Sequence, residues 1–200
     1  LIHAWQTEPC YHVSFGPGAR KPLELENYNA YLIDSEDGIR AMADADLIMV
    51  SVGKKNLKDV AGSLKKGLAV RTKDDIDILT AENGVNVKQD MMELCEDQRV
   101  HLAEAIVFCT TIGEKWSLDI LSQNLDYLPY DVVALGHTLP YENMVAEEKL
   151  AVLMQRKIYT YNCISAVVSY LGYSKKYAVS SDAATDTELV SCIVGIFTTF

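Results

Sequence analysis

Apolar and polar residues alternate at Tyr11, Val13 and Phe15, and again where Leu23 and Leu25 interleave with Glu24 and Glu26, on either side of Gly16-Pro17-Gly18. Period-two alternation flanking such a bend predicts a β-hairpin, with Cys10–Phe15 as one strand and the stretch from Leu23 as the other. The period then changes. Ser35, followed by Glu36 and Asp37 and an amphipathic run, predicts a helix with Ser35 as its N-cap. The unbroken apolar run Asp46–Gly53 predicts a strand buried in a parallel sheet. Next come a helix over Leu57–Leu68, a strand over Ile76–Asn83 and a helix over Val87–Asp97, with further strands within Arg99–Ile112 and Ser117–Gln123. Strand–helix alternation of this kind implies an α/β fold with a largely parallel, Rossmann-type sheet, here partial and carrying a hairpin.

The pattern shifts again after Leu135–Asn143. From Met144 to Gly172 there is no Pro, and no Gly before the last residue, which predicts one long helix with a mostly apolar, hence buried, second half. Gly172 is its expected stop signal. A last helix over Thr187–Phe197 ends in apolar residues. The organisation expected is residues 1–142 as the later part of an α/β domain and 143–200 as the start of a helical one. The amino-terminal LIHAWQTEPC has no initiator Met and no signal-peptide pattern, so the chain reads as a fragment entered midway.

Charge narrows the partners. The net charge is −10 and no basic cluster exceeds a Lys-Lys pair, which argues against a nucleic-acid or anionic-membrane surface. No apolar run approaches the ~20 residues that span a bilayer. The five cysteines are scattered with no C-x-x-C, which suggests buried free thiols in a reducing, cytoplasmic setting.

The chemistry turns first on Gly16-Pro17-Gly18. A dinucleotide fingerprint needs a third glycine and then a helix; here Lys21 holds that position, Pro22 follows and a strand begins. Asp34 or Glu36 could serve as the acid expected ~20 residues on. The structural context nevertheless makes this stretch a turn. Asn83 closes an apolar strand at the carboxyl edge, where open α/β sheets place ligands. Lys157 lies in a helix with Asn162 five residues later. A buried lysine titrates lower and can act as a general base, and asparagine amides can hold a reacting oxygen. Equally, Lys157 beside Arg156 suits a solvated helix edge, and Asn83 a turn. His3, His12, His101 and His137 share no ligand-like spacing, so no metal site is expected.

VSVGKKNLKDVAGSLKKGL, ILTAENGVN and QRKIYTYNCISAVVSYLGY resemble the mannitol dehydrogenase family of polyol-specific long-chain dehydrogenases. The resemblance runs with gaps from about Tyr11 to Val194 and is most specific at Arg156, Lys157, Tyr159, Thr160 and Asn162. It implies a Rossmann-type domain for NAD or NADP, a helical substrate domain, and metal-independent oxidation of a secondary alcohol in a polyol, polyol phosphate or sugar acid such as altronate. It makes Lys157 the general base and Asn83 and Asn162 the oxygen-holding amides. Arg156 and Ser165 fall at substrate positions, and Ser51, Val52 and Gly53 beside the cofactor. Three departures stand out. Ser165 replaces the family histidine, the glycine-rich first unit is absent, and the helical domain stops early. The fragment alone is therefore expected to be inactive, to hold cofactor poorly and to self-associate through an exposed sheet edge. Two alternatives stay open: a non-catalytic sugar-binding or regulatory homologue, favoured by Ser165, and a hydroxy-acid dehydrogenase of similar plan.

Overall fold

The computed structural model describes residues 2–16, 20–84, 86–113 and 117–198. They form two compact units, Leu1–Leu150 and Ala151–Phe200, each considered by itself.

The first unit opens with α1 (Ile2–Thr7), β1 (Cys10–Phe15) and β2 (Leu23–Glu26). The two strands pair antiparallel, Cys10 opposite Glu26 and Val13 opposite Leu23, as the alternation requires. The bend itself, Pro17–Ala19, lies outside the described residues. Edge-to-face contacts among Trp5, Tyr11 and Tyr28, with centroids 4.8 to 5.5 Å apart, pin α1 to the hairpin. Ser35 caps α2 (Glu36–Asp44), its hydroxyl accepting the Gly38 amide at 3.0 Å. Gly38 is obligatory, since a Cβ there would lie 2.2 Å from the Leu32 carbonyl oxygen.

Then come β3 (Leu47–Val50), α3 (Leu57–Val70), β4 (Ile76–Thr80) and β5 (Val100–Glu104). The three strands are parallel in the order β3-β4-β5, with Ile48 beside Ile78 and Ile78 beside Leu102. One face buries Ile76, Ile78 and Leu102 against Leu57, Ala61 and Leu64 of α3 and against Val87, Met91 and Leu94. That last crossover, Val87–Glu96, is a tight 3₁₀ helix instead of an α-helix. Two short strands, β6 (Thr111–Gly113) and β7 (Ile120–Ser122), complete a second sheet of order β2-β1-β7-β6, in which β1 and β7 run parallel. The other face of the parallel sheet packs Leu79 and Ala103 against Tyr130, Leu135 and Leu139 from β8 (Leu128–Asp131), α4 (Val132–Leu135) and the loop after it. The buried Tyr130 hydroxyl is satisfied by the Leu139 amide at 2.7 Å.

Two expectations fail here. The run Asp46–Gly53 gives an edge strand, with Met49 48% exposed, because among the described residues no strand pairs with its far side. The predicted helix does not start at Met144. Met144–Glu147 is instead β9, pairing in parallel with β8, so tertiary pairing overrides local helical character.

In the second unit α5 (Leu150–Lys157) passes into a π-helical turn, Ile158–Asn162, and then α6 (Cys163–Ser174), α7 (Ser180–Ala183) and α8 (Thr187–Thr198). The second half of the long helix is not buried: Tyr159, Tyr161, Tyr170 and Tyr173 are exposed. Gly172 is not the stop either. It lets α7 approach, since a Cβ there would sit 2.5 Å from that of Ala183. The helix ends two residues later in a Schellman turn, with Lys176 at φ 64° and the Tyr177 amide donating back to the Gly172 carbonyl at 3.0 Å. Asp186 caps α8 through the Glu188 and Leu189 amides, and its carboxylate also takes Lys175 Nζ at 2.8 Å and the Tyr177 hydroxyl at 2.9 Å. These donors hold the Asp186 carboxyl well below its ordinary value and, with Glu188, hold the Lys175 ammonium above its own.

The free cysteines are not buried: Cys95, Cys163 and Cys192 are exposed, and Cys10 and Cys109 half-buried. Among the described residues no helix is long and apolar enough to cross a membrane.

Candidate functional site

In the first unit the candidates gather where β3 and β4 end. Past Val50 the chain turns through Ser51 and Val52 to Gly53, whose φ of 83° favours glycine. The Val52 and Gly53 amides both donate to one oxygen of Glu82, at 2.5 and 2.7 Å, and Asn56 Nδ2 donates to the Val52 carbonyl at 2.6 Å. Glu82 is buried at 8% exposure, at the end of β4, immediately before the exposed Asn83. Gly84 then lets the chain fold onto Val87, 2.8 Å from where its Cβ would be. The parallel sheet thus delivers Ser51–Gly53 and Asn83 to one rim through adjacent strands.

Glu82 is the residue that sequence reasoning missed. Its signal was a single acid at the end of an apolar strand in TAEN, where ionisation needs compensating donors. Its carboxylate fills the two amides that a phosphate would otherwise seek, and its charge would repel one. Gly53, by contrast, has only the Asn56 side chain near its open side, at 3.9 Å. With those amides taken by a carboxylate, this rim does not suit a phosphate group.

In the second unit the candidates sit on the helix that carries the π turn. Lys157 is 5% exposed, and burial pushes its ammonium below the ordinary lysine value. Arg156, Asn162 and Ser165 are exposed. The Thr160 hydroxyl donates to the Arg156 carbonyl at 2.7 Å and the Ser165 hydroxyl to the Tyr161 carbonyl at 2.9 Å. The solvated-edge reading fits Arg156 but not Lys157. A lowering of the ammonium's pKa is the direction that a proton-accepting amine requires.

The histidines serve elsewhere. His12 lies against Asp119 at 3.3 Å, His137 against Asp77 at 3.0 Å, and His101 packs edge-on to His137. Among the described residues no group of three or more His, Cys, Asp or Glu side chains is arranged to hold a metal ion.

No family model matches the chain. It is 26% identical over 187 residues to a mannitol-1-phosphate 5-dehydrogenase of Mycoplasmopsis pulmonis, covering 85% of this chain and 47% of that relative. With the enzyme of that name from Clostridium acetobutylicum it shares 28% identity over 194 residues, 86% of this chain and 50% of the other. The chain thus spans about half the length of the curated relatives it matches. Among solved structures it is similar to a probable 2-dehydropantoate 2-reductase from Bacillus subtilis, with a TM-score of 0.53 and 16% identity over 85% of this chain and 55% of that one. A ketopantoate reductase from Ralstonia eutropha gives a TM-score of 0.54 at 14% identity, covering 84% and 52%. The structural likeness shows the α/β, Rossmann-like fold. The sequence relatives agree with the resemblance carried by Arg156–Asn162.

Proposed function

We propose that the protein containing this chain is a nicotinamide-dependent dehydrogenase acting on a secondary alcohol of a polyol, polyol phosphate or sugar acid. The observation that carries the reading is Lys157, buried with a lowered pKa inside the very block most specific to the resemblance. A bound NAD or NADP would supply the hydride acceptor. Lys157 takes the alcohol proton, so the developing alkoxide never carries a full charge. By the resemblance, Asn83 and Asn162 are the amides suited to holding a reacting oxygen. The Arg156 guanidinium suits a carboxylate or phosphate on the substrate, and the Ser165 hydroxyl a neighbouring sugar hydroxyl. Ser51, Val52 and Gly53 back the cofactor. No step in this scheme calls for a metal ion.

The pairing of β9 with β8 moves the expected boundary after residue 142 to Leu150; in this reading the first unit belongs to the cofactor domain and Ala151–Phe200 to the substrate domain of a cytoplasmic enzyme. The edge of β3, unpaired among the described residues, offers a route for self-association of the isolated chain. NAD and NADP titrated calorimetrically onto the 200-residue chain are expected to bind weakly, because Glu82 already occupies the amides at the rim.

The deciding experiment is Lys157→Met in the full-length protein. Turnover of mannitol 1-phosphate and related polyols is expected to fall by about 10² to 10⁴ and to lose its pH dependence. A pH-dependent rate surviving the change would remove the lysine from catalysis, and inactivation by a chelator would overturn metal independence. Ser165 supports a second reading, a sugar-binding homologue without turnover. There, Ser165→His would create activity from nothing, whereas in a working enzyme it shifts substrate preference only. Activity confined to hydroxy acids would favour the third reading.

A further inference from the structure

Lys157 and Asn162 are five residues apart and Lys157 and Ser165 eight. On a regular α-helix, at about 100° per residue, five residues separate side chains by about 140° and eight leave them about 80° apart. Such a helix cannot present all three to one small molecule. This helix is not regular at that point. Between Ile158 and Asn162 it widens, and the Cys163 amide, shared with the Thr160 carbonyl, donates to the Ile158 carbonyl five residues back, where an α-helix would reach back four. One residue is thereby absorbed without advancing the face. Across the turn, Lys157, Asn162 and Ser165 take the places that i, i+4 and i+7 hold on an ordinary α-helix, a single stripe. Around the turn Tyr159 and Tyr161 are 71% and 62% exposed, and Asn162 and Ser165 are exposed as well.

We infer that the π turn at Ile158–Asn162 is the positioning device of the site, aligning Lys157, Asn162 and Ser165 toward one substrate. Asn162 thus depends on the turn for its orientation, and Ser165 joins the same stripe as a substrate contact. The inference rests on the catalytic reading of Lys157 and Asn162, and it adds what local backbone geometry that reading requires.

Two single-residue deletions in the full-length protein test it. Removing Tyr161 or removing Cys163 lets the turn close as α-helix, and either leaves Ser165 and everything beyond it in the same register. They differ in one respect. Without Tyr161, Asn162 becomes i+4 to Lys157 and stays on the stripe; without Cys163, it remains i+5 and rotates off it. The Tyr161 deletion is expected to keep kcat/KM within about tenfold of the parent, and the Cys163 deletion to fall on the order of 100-fold, as far as Asn162→Ala. Equal activity or equal inactivity of two folded deletion proteins overturns the inference. Lys157→Met and Asn162→Ala judge the reading beneath it, since full activity in both removes the catalytic roles whatever the deletions do. Should neither deletion protein fold, Ile158→His with Cys163→His in the full-length protein reports the turn directly. A π turn stacks these two residues, so the pair is expected to bind Ni²⁺ at least about tenfold more tightly than either single variant. Nickel affinity no better than that of the single variants overturns the inference.

Discussion

The two ends of the β3-β4-β5 sheet are built from opposite chemistry. Where the strands begin, arginines clasp carbonyls: Arg71, 6% exposed, donates to the carbonyls of Ala43, Ala45, Asp74 and Asp75 at 2.6 to 2.9 Å. Arg99 reaches the carbonyls of Leu68 and Arg71, each at 3.0 Å, and is itself held by Asp97 at 2.7 Å. Where the strands end, carboxylates hold amides: Glu82 takes Val52 and Gly53, and Glu104 takes the Lys88 amide at 3.0 Å. The reason lies in the βα repeat. Each helix arrives with its carbonyl end at the start of a strand and departs with its amide end from the close of one, so cations suit one end and anions the other. The start of the sheet is closed by this arrangement. Its far end keeps glycine backbone and Asn83 exposed, which is where a ligand can still be received.

The contrast can be broken in graded steps. Arg71→Ala should have the largest effect, about 3 kcal/mol of unfolding free energy by chemical denaturation, since it strips donors from carbonyls of two segments, 43–45 and 74–75. Arg71→Lys should recover only part of it, having no fork to span them. A loss under about 1 kcal/mol would show that the clasp is ornamental. Glu82→Gln keeps the acceptor oxygen and loses its charge, so it should cost about 1 kcal/mol, while removing the repulsion that keeps phosphate from the rim. Tighter NADH binding to that variant would sharpen the distinction between the ends. The smallest change is expected from Asp97→Asn. Beside Arg99 the Asp97 carboxyl is held down to about 2 from an ordinary 3.8. Its contribution is therefore complete above the ordinary value and fades as pH falls through about 2. The melting temperature of the variant should fall below that of the parent at neutral pH and converge with it in strong acid.

Much of this architecture was written locally. The hairpin arms, the Ser35 cap and the β3–α3–β4 order followed from period and capping alone, because each depends on residues close in sequence. Three features did not. Met144–Glu147 became a strand because Leu128–Asp131 lay ready to pair with it, which no local pattern records. Gly172 looked like a terminator, yet its role is set by Ala183 on another helix. The π turn hid inside a run of good helix residues, since one absorbed residue leaves composition untouched. For the site, motif resemblance singled out Lys157, whereas Glu82 emerged only when the ends of β3 and β4 were brought side by side.

The topology also carries a consequence in time. β3, β4 and β5 are consecutive strands that pair with their neighbours across a single helical crossover, so their loops close early and at modest entropic cost. The hairpin sheet is different: β1 meets β7, and the His12 amide meets Asp119, only after the chain has closed a separation of 107 residues. Assembly is therefore expected to run from the parallel core outward, with β1 docking last. Hydrogen exchange in the native protein should retrace that order in reverse, releasing the amides of β1 and β2 long before those of β4.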